Sequence, residues 1–175
     1  MITPEQYFSY FEAIAIASKD INHNEQTHKQ FTCVDIDEID ESVFQNLYLQ
    51  DWCMVLEDYT GRISGGNNES LQLTPDGAFL IFKHCPVGDR IMERQILNQA
   101  FDICTQIIAK MYKDMYEYNA VTNNNIMASF DPKTVSFEKL KAIHDNCFGY
   151  RFQWQFGRST QLSYNAAKWD WSRVL

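Results

Sequence analysis

Aromatic and polar positions alternate strictly between Phe148 and Phe156, where every second residue is aromatic and the residues between are polar or glycine. Successive side chains of a β-strand point to opposite faces, so this stretch predicts a strand with one wholly aromatic face. That face needs an apolar cover. Residues 89–118 supply it, because their apolar side chains recur at helical spacing and predict a long helix lying on the sheet.

The predicted long helix begins at Asp89, whose carboxylate suits the positive end of the helix dipole, and ends near Tyr118. Its length is roughly 45 Å, so we expect its last turns to project beyond a small sheet. The apolar positions that recur along it are Ile96, Leu97, Ala100, Phe101, Cys104, Ile107, Ile108, Met111 and Met115.

The N-terminal half opens with a helix-start signal. Thr3, Pro4 and Gln6 predict a capping box with proline in the first turn, and the helix runs to about Ser18. The next predicted elements are a strand at Phe31 to Ile36, a short helix at 38–47, a strand at Trp52 to Glu57, a loop at 60–68 and two further strands, Leu71 to Leu73 and Ala78 to Lys83.

Turn chemistry predicts how those last two strands connect. Thr74-Pro75-Asp76-Gly77 joins them as a hairpin, since proline sets φ for a turn and glycine tolerates the closing position. Further along, Ser136 to His144 predicts a short helix with Phe137, Leu140 and Ile143 facing inward. Leu162 and Tyr164 predict a last short strand.

These elements predict an α+β fold, with a mostly antiparallel sheet, a long helix packed on one face and the other helices on the same side. The chain has 175 residues, without repeats or low-complexity linkers. We therefore expect a single domain at 1–175 that ends in an interaction tail at about 158–175.

The acidic charge is concentrated in one part of the chain. The net charge is −8, and eight acids without any Lys or Arg fall between Gln30 and Gly61, while the other 15 acids are balanced by 15 bases. These eight are Asp35, Asp37, Glu38, Asp40, Glu41, Asp51, Glu57 and Asp58. They predict a solvated acidic face, or else a lining that repels DNA or meets a basic partner, and they argue against nucleic-acid binding.

No motif of the sequence compels a chemistry. Phosphate-binding loops and nucleophile elbows are absent, so we expect no catalytic residue, no cofactor and no metal. A zinc site is only weakly indicated by His84, Cys85, His144 and Cys147, because adjacent strand residues such as His84 and Cys85 point to opposite faces.

The five cysteines are odd in number and lack a C-x-x-C pair, which predicts reduced thiols in a cytosolic protein. We also expect no signal peptide and no membrane contact.

Large aromatic residues near two element ends predict interaction surfaces. Trp169 and Trp171 are spaced so that both indoles lie on one side of an extended tail, where they either fold back or anchor into a neighbour. The full set of predicted interface residues is Trp169, Trp171, Tyr164, Tyr112, Tyr116 and Tyr118.

The order of elements resembles that of bacteriophage tail-terminator and neck (head–tail joining) proteins. The stretches that carry the resemblance are the opening helix at Pro4 to Ser18, the meander from Phe31 to Lys83, the long helix from Asp89 to Tyr118 and the closing strand at Phe148 to Phe156. The resemblance implies a protein without catalytic residues that forms rings, commonly hexameric, around a DNA channel. The acidic block from Asp35 to Asp58 would then line that channel.

Three hypotheses about function follow. The first is a non-enzymatic structural protein of a phage or prophage tail or neck, which self-associates, docks to other subunits and resides in the cytoplasm during assembly and then in the virion. The second is a small-ligand binding domain or enzyme, with an aromatic pocket between the long helix and the sheet. The third is an adaptor or immunity-type protein whose acidic face covers a basic partner.

Overall fold

The structure, a computed structural model, describes residues 2–35, 44–64, 72–117, 127–143, 146–157 and 160–161. Its elements in chain order are α1 (Pro4–Ala17), β1 (Phe31–Val34), β2 (Cys53–Glu57), β3 (Thr60–Ser64), β4 (Gln72–His84), α2 (Arg90–Tyr116), β5 (Phe130–Ile143), β6 (Cys147–Phe156) and β7 (Thr160–Gln161). The α+β class predicted from the sequence is confirmed.

The strands form one sheet in the order β1-β2-β4-β6-β5, and β3 and β7 pair with further parts of β4. Only the β1–β2 pair is parallel among the described pairs, so the sheet is mostly antiparallel, as predicted. Strand β4 is the centre of this arrangement because it pairs with four others.

Both helices begin where the sequence predicts. The Thr3 hydroxyl accepts a hydrogen bond from the Gln6 amide at 3.2 Å and the Gln6 side chain accepts one from the Thr3 amide at 3.0 Å, which completes the capping box. Asp89 caps α2 by accepting a hydrogen bond from the Met92 amide at 2.9 Å.

The main core lies between the two helices and one face of the sheet. The aromatic face of β6 supplies Phe152, Trp154 and Phe156 to this core, which confirms the alternation found in the sequence. The C-terminal end of α2 does not project free of the domain, because Met111 is buried and the Tyr10 hydroxyl donates a hydrogen bond to Asp114 at 2.7 Å. The expectation of a projecting end is therefore wrong for the described residues. Among all the described residues, no helix is long and apolar enough to span a bilayer.

The opposite face of the sheet, called the outer face below, has two halves. One half is apolar: Phe44, Leu47 and Leu49 cover Cys53, Val55, Leu80 and Phe82. The backbone of residues 44 and 45 is helical, whereas the rest of the predicted helix at 38–47 up to residue 43 lies outside the described residues. The other half of the outer face is polar.

The predicted hairpin at residues 74–77 is wrong. Those residues lie inside β4, a continuous strand of 13 residues. Strand β7 pairs with Gln72 and Leu73 and β6 pairs from Asp76 onward, so Pro75 falls where the ladder on that side is interrupted and its missing N–H matters least. The predicted loop at 60–68 is also wrong for its first part, because β3 pairs with this end of β4, and residues 65–68 lie outside the described residues.

The predicted helix at Ser136 to His144 is wrong as well, because residues 130–143 form the strand β5. Phe137 contacts Phe101 on the helix side of the sheet, while Leu140 packs against the apolar half of the outer face. A spacing of three places side chains on one face of a helix but on opposite faces of a strand. The pairing of β5 with β6 also shifts register twice, and such irregularities interrupt the alternation of inward and outward side chains by which a strand is recognised in a sequence.

Candidate functional site

The polar half of the outer face is built from one row of small and polar residues across the sheet. Ala78 of β4 pairs with Gln153 of β6, which pairs with Ser136 of β5. Leu56 pairs with Phe79, so extending this register by one residue places Glu57 of β2 at the other end of the row. Ala78 has the smallest side chain of the row, so it forms a low floor between polar neighbours.

A charged network crosses this floor. Arg151 of β6 binds the Glu57 carboxylate with both sides of its guanidinium fork, through Nε and through Nη2 at 2.8 Å. Its Nη1 donates to Gln153 at 2.5 Å and lies 3.4 Å from Glu138. Gln153 in turn donates to the Ser136 hydroxyl at 3.0 Å. The hydrogen bonds to Glu57 raise the pKa of Arg151, so the guanidinium is always charged.

These groups surround a concavity of about 390 Å³. Its lining residues are Glu57, Asp58, Thr60, Arg62, Asp76, Gly77, Ala78, Thr134, Ser136, Arg151, Gln153, Trp154 and Gln155. Three of them are acids and two are arginines, so the lining carries a net negative charge at neutral pH.

Asp76 has few partners for a charged group in the concavity. Its Oδ1 is buried and accepts no hydrogen bond from any described residue. Its Oδ2 lies 3.8 Å from Nη2 of Arg62, whose side chain is largely exposed. Buried carboxylate oxygens are normally hydrogen-bonded, so an unpartnered one marks a position where a donor is missing.

A second surface runs along α2 and continues onto β5. Phe101, Tyr112 and Tyr116 are exposed, and spacings of eleven and four residues place them on one side of the helix. Phe137 of β5 continues this line, with its ring 5.2 Å from that of Phe101, and 56% of its surface is exposed. We call Phe101, Tyr112, Tyr116 and Phe137 the aromatic stripe.

Two of the predicted interface residues belong to this stripe. Tyr112 and Tyr116 contact each other edge to face at 5.3 Å, and their hydroxyls lie 3.4 Å apart. Tyr118, Tyr164, Trp169 and Trp171 lie outside the described residues. The sequence does not predict Phe101 and Phe137 as surface residues, because both fit apolar patterns that predict inward-facing helix positions.

The described acidic residues do not share one face. Asp51 and Asp58 lie at opposite ends of β2, and Asp51 is close to His28 at 2.9 Å and to Lys83 at 3.8 Å. Glu57 is buried against Arg151, whereas Asp35 and Asp58 are exposed. Asp37, Glu38, Asp40 and Glu41 lie outside the described residues.

Cys33, Cys53 and Cys104 lack the properties of nucleophiles. Burial, with a hydrogen bond from the thiol to Asp58, raises the pKa of Cys33 to about 12, and burial raises the pKa of Cys53 and Cys104. Thiols of this kind are protonated near neutral pH and react slowly. Within the described ranges, no three His, Cys, Asp or Glu side chains come together as metal ligands do.

Aromatic rings pack against one another in the core on the helix side of the sheet. Phe79 stacks on Phe152 at 6.0 Å, and Trp154 lies 5.7 Å from Phe79. All three residues are buried in the main core. They act as core here, as the alternation of β6 predicts.

The sequence predicts part of the polar lining of the concavity. Arg151, Gln153 and Gln155 are the polar side of the predicted strand, so their common face followed from the alternation. Ser136 is hidden because its segment predicts a helix, and Thr134 because the sequence predicts no element at its position. Asp76 is hidden because its neighbours Pro75 and Gly77 predict a turn.

Comparison with known proteins finds no matching family, no similar curated protein and no similar solved structure.

Proposed function

We propose that this chain is a non-enzymatic assembly protein of a phage or prophage tail or neck, which works by self-association and by docking to other subunits. The observation that carries the proposal is the aromatic stripe. Its exposed aromatic side chains form two contacting pairs, Phe101 with Phe137 and Tyr112 with Tyr116, and such groups are typical of protein–protein contacts. The resemblance to tail and neck proteins rests on the order of α1, the strands β1 to β4, α2 and β6, and this order supports the same proposal.

The chemistry of β5 favours contact through side chains over simple strand addition. Among the described strands β5 pairs with β6 alone, so no described strand lies along its other edge. Pro132, Lys133 and Lys139 lie on it, and prolines and lysines on an edge strand discourage indiscriminate pairing. Phe137, which stacks on Phe152 at 5.2 Å, then offers an anchored ring to a neighbour beside this protected edge.

A lysine substitution in the stripe tests the proposal. Phe137→Lys and Tyr112→Lys place a charge where an apolar contact is expected, and burying an unpaired charge in an interface is costly. We expect both variants to reduce the mass of the assembly, measured by light scattering on a sizing column. Ile16→Lys is the matched control, because Ile16 on α1 is also 56% exposed and lies outside the stripe.

The comparison between variants decides the result. Equal loss of mass in Phe137→Lys and Ile16→Lys would show that added charge, and not the stripe, governs association. Unchanged mass in both stripe variants would remove the stripe from the interface. Thermal unfolding of each variant shows whether the domain itself is intact.

A further inference from the structure

We propose that the concavity on the polar half of the outer face binds an organic cation, a guanidinium or a primary ammonium group, with Asp76 as its counter-ion. This site is separate from the aromatic stripe and does not rest on the proposed role in assembly. The argument has three steps, which concern shape, charge and hydrogen bonding.

The shape comes from the small residue in the middle of the polar row. Ala78 has polar neighbours on both sides, and the Arg151 side chain passes across β4 to reach Glu57. The resulting concavity of about 390 Å³ exceeds the space that a single water molecule needs. It therefore has room for the end of a basic side chain or for a small amine.

The charge selects a cation over an anion. Arg151 is engaged by Glu57, Gln153 and Glu138, so its guanidinium has little left to offer a phosphate or a carboxylate. Asp76, in contrast, is weakly engaged, since its sole charged partner among the described residues is Arg62 at 3.8 Å. An ion pair with an exposed side chain at this distance contributes little free energy, so Asp76 remains available to a bound cation.

The hydrogen-bond inventory fits a group with several N–H donors. Asp76 accepts no hydrogen bond from a described residue through either side-chain oxygen, and its Oδ2 has Arg62 at 3.8 Å as its charged neighbour, so Oδ2 can accept from a bound N–H group. The Gln155 side chain, opposite Asp76 in the β4–β6 pair, makes no side-chain hydrogen bond in the described structure. The Thr60 hydroxyl lies in the same lining. Together they offer acceptors on different sides of one position, as a guanidinium or ammonium requires.

The same cation chemistry has two sources, a free small molecule and a Lys or Arg side chain of a protein. Nα-acetyl-arginine amide and Nα-acetyl-lysine amide represent the side chain, and agmatine represents the free amine. Nα-acetyl-citrulline amide is the neutral match of the arginine probe, and inorganic phosphate is the anion control. Each is titrated into the full ¹⁵N-labelled chain, and amide chemical shifts are followed.

We expect saturable shifts for the cationic probes at residues lining the concavity, and at least tenfold weaker binding of the citrulline probe. Asp76→Asn should weaken binding of the cation at least tenfold. Asp102→Asn is the matched control, because Asp102 is exposed on α2, outside the lining, and its substitution changes the net charge equally. Arg62→Gln should strengthen binding, because it removes the cation that now faces Asp76.

The proposal fails if the citrulline and arginine probes bind equally, if phosphate binds in their place, or if no probe gives saturable shifts. It also fails if Asp76→Asn and Asp102→Asn behave alike. Arg62→Gln keeps the test decisive even if Asp76→Asn does not fold, since Arg62 is exposed and unchanged or weaker binding in that variant contradicts the proposal. Agmatine binding that exceeds the acetylated probes assigns the site to a free amine, and the reverse assigns it to a protein side chain.

Discussion

At the scale of single residues, Arg151 shows how the buried carboxylate of Glu57 is accommodated in this sheet. Its guanidinium binds Glu57 on a strand two positions away and contacts Glu138 on the neighbouring strand. Removing one member of such a pair leaves the other charge unpaired, which is more costly than exchanging both. The sequence shows that Arg151 points away from the aromatic face, but it does not show Glu57 as its partner, because 94 residues separate the two.

His23 carries a prediction about pH. It is buried, and its Nδ1 accepts a hydrogen bond from the Gln30 amide at 3.1 Å, which requires an unprotonated nitrogen. Burial lowers the pKa of His23 below its usual 6.5, although Glu25 opposes this shift. The unfolded chain therefore binds a proton before the folded chain does, and the free energy of unfolding should fall as the pH falls from 7 to 5.

Urea denaturation of the wild type and of His23→Asn at pH 7 and pH 5 measures this effect. Asparagine keeps an acceptor for the Gln30 amide but does not titrate, so the variant should lose less stability on acidification. The same loss in both proteins would show that other groups control stability in this range.

At the scale of elements, residues that look like turn formers serve the packing of the sheet. Gly77 lies opposite Trp154, and a Cβ there would come within 2.6 Å of the indole ring. Pro75 lies opposite Gly61, and a Cβ on Gly61 would come within 2.8 Å of the Thr74 carbonyl oxygen. Local turn chemistry predicts a hairpin from these residues because it takes no account of strands far away in the sequence. Alternation over nine residues predicts β6 correctly because its period reflects burial directly.

Gly149 carries the prediction at this scale. It lies in β6 between β4 and β5, and a Cβ would come within 1.9 Å of the carbonyl oxygen of Ile81. Backbone atoms in the middle of a sheet cannot move aside without breaking pairs, so Gly149→Ala should lower the free energy of unfolding by about 3 kcal/mol or more.

Gly88→Ala is the comparison for Gly149→Ala. Gly88 has a φ of +85° but nothing within 4 Å of an added Cβ, so its substitution should cost only about 1–2 kcal/mol of backbone strain. Urea unfolding of both variants measures the difference. A larger loss at Gly88 than at Gly149 would mean that β6 can shift and that the close approach to β4 is not required.

At the scale of the whole molecule, the two faces of the sheet have different surroundings. One face is covered by both helices, and the other is divided between an apolar half and a polar concavity. The sequence predicts the covered face because its apolar period is regular. It does not predict the division of the outer face, which depends on which strands lie side by side.

The C-terminal tail carries a prediction about assembly. Residues 165–175 include Trp169 and Trp171, large apolar rings of the kind that anchor interfaces. Deleting residues 165–175 should break assembly and leave the thermal unfolding of the domain unchanged, measured by light scattering and circular dichroism. If the truncated chain assembles like the wild type, the tail has no part in the interface.

The central claim is that this chain works by associating with copies of itself, and its absolute mass in solution tests that claim most directly. Light scattering on a sizing column over a concentration series compares the measured mass with the 20.5 kDa of one chain. The account predicts a closed oligomer of one defined number, with six copies matching the ring that the resemblance implies. A mass of one chain at every concentration would contradict it.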